Sequence, residues 1–274
     1  MHEPVLVEEV LFWLDVKKNG IYVDCTLGSG GHTKAIFEKS KIVKIYGIDR
    51  DLEAISKFKV KSSKLKVLWS NFKNLSDIIN EKVNGVLFDL GVSSEQLDSS
   101  ERGFSYRFDS PLDLRMDRSR GIPFFELLEK FKQDDLEFIL KTYGEESRCK
   151  KIAAEIIKNK PKTTGELVEI VRRITPYRGR SRVLARVFQS LRIFVNDELD
   201  NLHYGLREAS KILKKGGRVC VISYHSLEDR IVKRYFKEEP SLIVLTKKPV
   251  CPKESEIIKN RRSRSAKLRC AEKV

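Results

Sequence analysis

The stretch DCTLGSGGH, Asp24 to His32, decides how the rest of the chain is read. It follows GIYV, a β-branched and aromatic run that reads as a buried strand, and precedes TKAIFEKS, which reads as a helix. A strand passing through a glycine-rich turn into a helix is a nucleotide-binding geometry. Glycines let the backbone approach a ligand closely, and the first turn of the helix offers it N–H groups. Gly28, Gly30 and Gly31 do not complete the dinucleotide pattern, because its third glycine falls at Thr33.

What remains is an acid, three residues and then Gly-x-Gly, which resembles motif I of the S-adenosylmethionine (SAM) methyltransferases; the plainer alternative is a tight βα turn. VKIYGID, Val43 to Asp49, reads as a second buried strand ending on an acid. Asp49 lies eighteen residues beyond Gly31, where doubly wound folds place a carboxylate on ribose hydroxyls. A carboxylate suits a vicinal diol because it accepts two hydrogen bonds; capping the helix DLEAISKF is the competing role. KLKVLWS is the third strand, followed by Phe72, either a cover for an adenine ring or a core plug. NGVLFDLGVSS, Asn84 to Ser94, is the fourth, with Asp89 near its carboxyl end, where ligands sit in open α/β sheets. Strands alternating with helices in this way predict an α/β fold: a doubly wound, mainly parallel, Rossmann-like sheet.

From Ser105 to Asn196 the alternation stops, and helical patterns such as FELLEKF, DDLEFILKTYG, CKKIAAEIIKN and TGELVEIVRRI follow one another. The expectation is an all-helical insertion over 105–196 in a discontinuous domain of 1–104 and 197–274. The helix ELDNLHYGLREASKILKKG and the strand GGRVCVISY return the chain to the sheet, with SLEDRIVKRYF as a further helix and SLIVLTKKPV as a further strand. At the start, HEPVLVEEVLFWL carries Val7, Val10, Leu11 and Leu14 at helical spacing, which predicts an amphipathic helix over one sheet edge.

A hydrophobic share of 41% is that of an ordinary globule, and the apolar runs are too short to span a bilayer. Acids stand where a secretory signal needs a basic start, and five scattered cysteines contain no C-x-x-C pair. A cytoplasmic protein with reduced thiols and no structural zinc is expected. The formal charge of +15 suits phosphate backbones. Two clusters concentrate it. The tail KNRRSRSAKLR has six basic residues in eleven, Arg261, Arg262 and Arg264 among them, and reads as a phosphate contact or a solvated terminus. In SRVLARVFQSLRIFVN, Arg182, Arg186 and Gln189 fall within about 60° on a helical wheel, opposite Leu184, Val187, Phe188 and Leu191. Just upstream, TPYRGRSR adds Arg178 and Arg180 beside a tyrosine, a pattern able to grip a backbone and stack a base.

These stretches, together with HEPVL, GIDRD, FDLGVSSEQLD, RGFSY, PLDLRMD, YGEE, ARVFQSLRIFVNDEL, VISYHSLEDRIVK and RSRSAKLR, resemble the RsmH or MraW family of bacterial 16S rRNA (cytosine-N4)-methyltransferases almost end to end. The resemblance implies a Rossmann-like SAM-binding domain with a helical domain inserted after the fourth strand. It implies N4-methylation of a cytidine in the decoding region (P site) of 16S rRNA within the small (30S) subunit, with no membrane and no metal. It leaves monomer or homodimer open. Its cofactor contacts carry over to Gly30, Gly31, His32, Asp49, Phe72, Asp89 and Gln96. Read alone, His32 is equally a polar helix cap and Gln96 a solvent-facing amide.

Methyl transfer from a sulfonium is an in-line displacement that needs no metal. The reluctant partner is the cytosine amine, whose lone pair is delocalised into the ring. An acceptor on the amine N–H localises that pair, and precise approach supplies much of the rate. Many amino-methyltransferases use (Asp/Asn/Ser)-Pro-Pro-aromatic here, whereas this chain has Asp89-Leu90-Gly91-Val92. Asp89 and His225 are the catalytic candidates, and Phe104, Tyr106 or Tyr224 the candidates for stacking the base. The target must be turned out of its helix, with the basic insertion and tail as clamps. Three other readings stay open: a methyltransferase for another nucleic acid, a SAM-binding RNA or ribosome assembly factor without turnover, and, against Thr33, a dehydrogenase.

Overall fold

A computed structural model describes residues 4–60 and 62–274, so residues 1–3, within the first expected helix, lie outside the described residues. The chain divides into two compact units, Met1–Gly91 with Leu199–Val274, and Val92–Glu198.

In the first unit, α1 (Val7–Leu14) buries Val10 and Leu14 and ends in left-handed residues on both sides. The chain then alternates: β1 (Ile21–Asp24), α2 (Gly31–Lys39), β2 (Lys44–Asp49), α3 (Leu52–Lys57), β3 (Leu65–Trp69), α4 (Leu75–Ile78) and β4 (Val83–Asp89). Short β-branched runs form the strands, and Asp51 caps α3 by accepting the Glu53 N–H at 3.0 Å.

The second unit holds α5 (Ser94–Asp98), α6 (Phe124–Lys130), α7 (Gln133–Gly144), α8 (Cys149–Asn159), α9 (Thr164–Ile174) and α10 (Arg180–Asn196). It has its own core, built on Phe104, Leu112, Phe124, Leu136, Ile152, Leu167, Val187 and Leu191. Asn196 ties the preceding loop down, accepting the Met116 N–H at 2.8 Å and donating to the Leu114 carbonyl at 2.7 Å. Gly144 lets α7 end against α10, since a Cβ there would stand 3.0 Å from the Arg186 carbonyl. The unit starts at Val92, not at the expected Ser105, because Leu97 and Phe104 pack on its core. RGFSY looks like a polar turn in sequence but hides an apolar anchor.

The chain returns through α11 (Glu198–Ile212), β5 (Leu213–Ser223), α12 (Ser226–Glu238), β6 (Leu242–Val244), α13 (Glu254–Lys259) and β7 (Lys267–Lys273). The sheet order is β3-β2-β1-β4-β5-β7-β6. Strands β1 to β5 run parallel, and β7 lies antiparallel between β5 and β6. Alternate residues go to opposite faces, as strands buried on both sides require. Val86, Phe88, Val219 and Val221 face a core shared with α11 and α12, while Leu87, Cys220 and Ile222 face one shared with α1 and α2. The doubly wound, mainly parallel α/β sheet is therefore present. The tail departs from the reading of a solvated terminus: its last residues form β7 inside the sheet, with Leu268 and Cys270 fully buried.

Strand order reverses between β1 and β4, and such a switch point opens a crevice at the carboxyl ends of the strands. Asp24, Asp49 and Asp89 end β1, β2 and β4 there.

Candidate active site

The turn after β1 is held by side chains that the motif itself supplies. Asp24, fully buried, accepts the Thr33 hydroxyl at 2.7 Å and the Thr26 N–H at 3.2 Å. Thr33, at the position of the missing third glycine, thus clamps the start of α2 to the end of β1. The Thr26 hydroxyl accepts the Asp89 N–H at 2.7 Å, joining the turn to β4. Gly28 (φ +48°) donates its N–H to Asp49 at 2.7 Å. Gly30 (φ +79°) caps α2 with no side-chain bond, and a Cβ there would stand 2.1 Å from Phe58 Cε2. Only glycine satisfies that backbone angle and that approach.

Asp49 accepts a second N–H, from Asp51, at 2.8 Å. Burial pushes its carboxyl up to about 6, in spite of those two donors. Each oxygen retains acceptor capacity for a ligand hydroxyl.

Asp89 sits between two groups from other elements. Tyr224, just past β5, donates its hydroxyl to Asp89 Oδ1 at 2.8 Å, and His32 Nε2 lies 3.4 Å from Oδ2. Burial pulls the His32 imidazole down, but the Asp89 and Asp24 carboxylates outweigh it and hold it above its usual value. Both His32 ring nitrogens are buried with no hydrogen-bond partner among the described residues, so the approach of Nε2 to Asp89 is a charge contact. Burial first, and then the Asp89 charge, raise the Tyr224 phenol well above its ordinary range, so it remains a donor.

The remaining candidates are placed as follows. Phe72 is half-buried, edge-on to Phe88 at 5.3 Å and against Gly205, so it serves the core at least on that side. His225 caps α12: its Nδ1 accepts the Glu228 N–H at 3.3 Å, and Glu228 reaches back to the His225 N–H. Of its two expected roles, the structure gives it the cap. Gln96 lies in the second unit, where its side-chain oxygen accepts the Ser93 N–H at 2.9 Å in a capping box. Phe104 is buried in that unit's core, whereas Tyr106 is exposed and edge-on to Phe188.

The basic residues sort by what they touch. Arg178 and Arg182 are exposed. Arg186 lies 3.6 Å from the fully buried Glu146 carboxylate, and Gln189 donates to the Tyr143 carbonyl at 3.3 Å. The expected cationic face of α10 is thus partly spent in holding the YGEE turn. Arg180 donates to the Thr175 and Arg172 carbonyls at 3.1 and 3.3 Å. Arg261 and Arg264 are exposed and Arg262 half-buried, on a 3₁₀ turn over Arg261–Ser265 that Asn260 caps.

Sequence reasoning singled out the aspartates but missed Thr26, Thr33 and the Tyr224 hydroxyl as the groups that hold them. The threonine standing in for a glycine was the available signal for Thr33; the pairing of Tyr224 with Asp89 needs the strand register.

Comparison with known proteins bears on the whole chain. The sequence profile of the MraW methylase family matches residues 1–274. A ribosomal RNA small subunit methyltransferase H from Caldicellulosiruptor saccharolyticus is 44% identical over 305 aligned positions, covering 100% of this chain and 99% of the relative. The protein of the same name from Clostridioides difficile is 41% identical over 307 positions, again covering 100% and 99%. A crystal structure from Clostridium thermocellum, provisionally described as an rRNA-methylase, superposes with a TM-score of 0.50 at 14% identity over 100% of both chains, a likeness of fold.

Proposed function

The chain belongs to the MraW methylase family, and from that premise we propose that it transfers a methyl group from SAM to N4 of a cytidine in the decoding region of 16S rRNA. The observation that carries this reading is the placement of Asp89, whose backbone is tied to the glycine turn through Thr26 and whose carboxylate lies between Tyr224 and His32.

The first unit's residues fit SAM. Gly30 and Gly31 put no side chain of their own into the turn, Asp49 retains acceptor capacity for a diol, and His32 beside them has a buried, unpartnered Nδ1. Gly30, Gly31, His32 and Asp49 would hold the cofactor, with Phe72 beside the adenine. When bound, SAM supplies an electrophilic methyl on a sulfonium sulfur.

Asp89 accepts an N–H of the cytosine amine, drawing the nitrogen toward sp³ and localising its lone pair for in-line attack. As the N–C bond forms, the amine becomes cationic and gives its proton to the Asp89 carboxylate. Tyr224 and His32 keep that carboxylate from rotating away, and such preorganisation accounts for much of an enzyme's effect.

Exposed Arg178 and Arg182 in the second unit, and Arg261 and Arg264 in the first, supply phosphate contacts, with Arg180, Arg186 and Arg262 supporting them. The substrate is rRNA within the small subunit, met in the cytoplasm. Among the described residues no helix is long and apolar enough to cross a membrane. Transfer of tritium from methyl-labelled SAM to small subunits from cells lacking this gene tests the reading. Intact SAM binding with no transfer to subunits, assembly intermediates or naked rRNA would leave a cofactor-binding assembly factor instead.

A further inference from the structure

At the corner between α9 and α10, the sequence Thr175-Pro-Tyr-Arg-Gly-Arg180 carries a tyrosine that is both exposed and fixed. The Tyr177 side chain is 88% exposed, more than any other large apolar or aromatic side chain among the described residues. At that exposure the ring contributes little to the fold by burial.

The ring is nevertheless held. The Arg180 guanidinium carbon lies 5.6 Å from the ring centroid, a cation–π contact. Arg180 is itself anchored, its Nη2 donating to the carbonyls of Thr175 and Arg172 at the end of α9. Its N–H donates to the Tyr177 carbonyl at 3.3 Å, closing the turn. Pro176 fixes one backbone angle of the corner, and Gly179 (φ +93°) supplies the left-handed residue that starts α10. Arg173, Arg178 and Arg182, all within five residues of Tyr177 in sequence, are exposed.

We propose that Tyr177, braced by Arg180, is a stacking platform for an unpaired RNA base, with Arg178 and Arg182 taking the neighbouring phosphates. This rests on the reading of the chain as an rRNA methyltransferase and adds a base-contacting residue to its second unit. The division of labour follows from the chemistry. A π face binds any base and carries no charge, so it contributes affinity without counterion release. Arginines on phosphates contribute affinity that salt removes.

The experiment measures binding of the full chain to a short single-stranded oligoribonucleotide carrying 2-aminopurine, over a range of salt. Tyr177→Ala is expected to weaken binding about tenfold and abolish 2-aminopurine quenching, with the salt slope unchanged. Tyr177→Trp restores both. Arg178→Ala with Arg182→Ala is expected to lower the salt slope by about one to two while quenching persists at low salt. SAM affinity, as wild type in every variant, reports an intact first unit. Tyr177→Ala binding and quenching like wild type would overturn the platform, as would a loss of affinity that tracks the salt slope. A wild-type chain that binds no RNA and methylates no subunits would overturn the rRNA reading itself, and the platform with it.

Discussion

The Tyr224 hydroxyl donates to Asp89 Oδ1 at 2.8 Å across the ends of two neighbouring parallel strands. Asp89 pairs in register with Ile222, so the tyrosine two residues on projects beyond the sheet and returns to the carboxylate. His32 approaches the other oxygen from α2. Where many amino-methyltransferases place a Pro-Pro-aromatic segment, this chain has Leu90-Gly91-Val92, and an aromatic from the adjacent strand reaches the aspartate instead.

Removing that hydroxyl without removing the ring isolates its role. Tyr224→Phe is expected to lower kcat about tenfold while leaving KM for SAM within about twofold, because a hydrogen bond to a charged group is worth about 1.5–3 kcal/mol. Asp89→Ala is expected to cost more in kcat than Tyr224→Phe. Steady-state kinetics on small subunits check both. Equal losses in kcat and SAM affinity for Tyr224→Phe would show that the tyrosine supports the cofactor site.

Gly30→Ala meets a backbone at φ +79° and Phe58 at 2.1 Å. Relief of that clash displaces the turn, so SAM affinity is expected to fall at least about tenfold, given a conformational cost of about 1–3 kcal/mol. Calorimetric titration measures it, and circular dichroism establishes that the sheet remains.

Asp49 gives a pH dependence whose sign is fixed by its raised value of about 6. Accepting two ribose hydroxyls needs the ionised carboxylate. SAM affinity is therefore expected to hold above pH 7 and to fall by up to about tenfold per unit as pH drops below 6. The free protein shows the opposite linkage. An unfolded aspartate titrates near 3.9, so the folded chain binds this proton more tightly, and Asp49's contribution to stability is present at low pH and lost as pH rises through about 6. Asp49→Asn is expected to abolish the acid limb of the binding profile.

Much of the first unit was legible because its signals are local. Ile45 to Ile48 is an apolar run that ends on Asp49, and Gly28 and Gly30 announce a left-handed turn before α2. What was not legible depends on distant partners. Lys267 to Arg269 read as the end of a charged tail, yet Arg269 is buried by Asp229 of α12, with Nε at 2.6 Å from the carboxylate. Against burial, Arg269 and Lys267 hold the Asp229 carboxyl below its usual value. Arg186 likewise looked like a free cation on the wheel, because the helical pattern does not show the buried Glu146 opposite it.

The same pair supports a stability test of β7. Asp229→Ala leaves a buried arginine uncompensated and is expected to cost about 3–5 kcal/mol. Arg269→Met, which removes the charge and keeps the length, is expected to cost markedly less. Urea unfolding of the two variants checks the order, and equal small losses would mean that the last strand is not integral to the sheet.

The most direct test of the central claim is to digest rRNA from tritium-labelled small subunits to nucleosides after reaction with wild type and with Asp89→Ala. Wild type is expected to place label in N4-methylcytidine alone, and Asp89→Ala little or none, with SAM binding retained. Label in any other nucleoside, or undiminished label from Asp89→Ala, would contradict the claim.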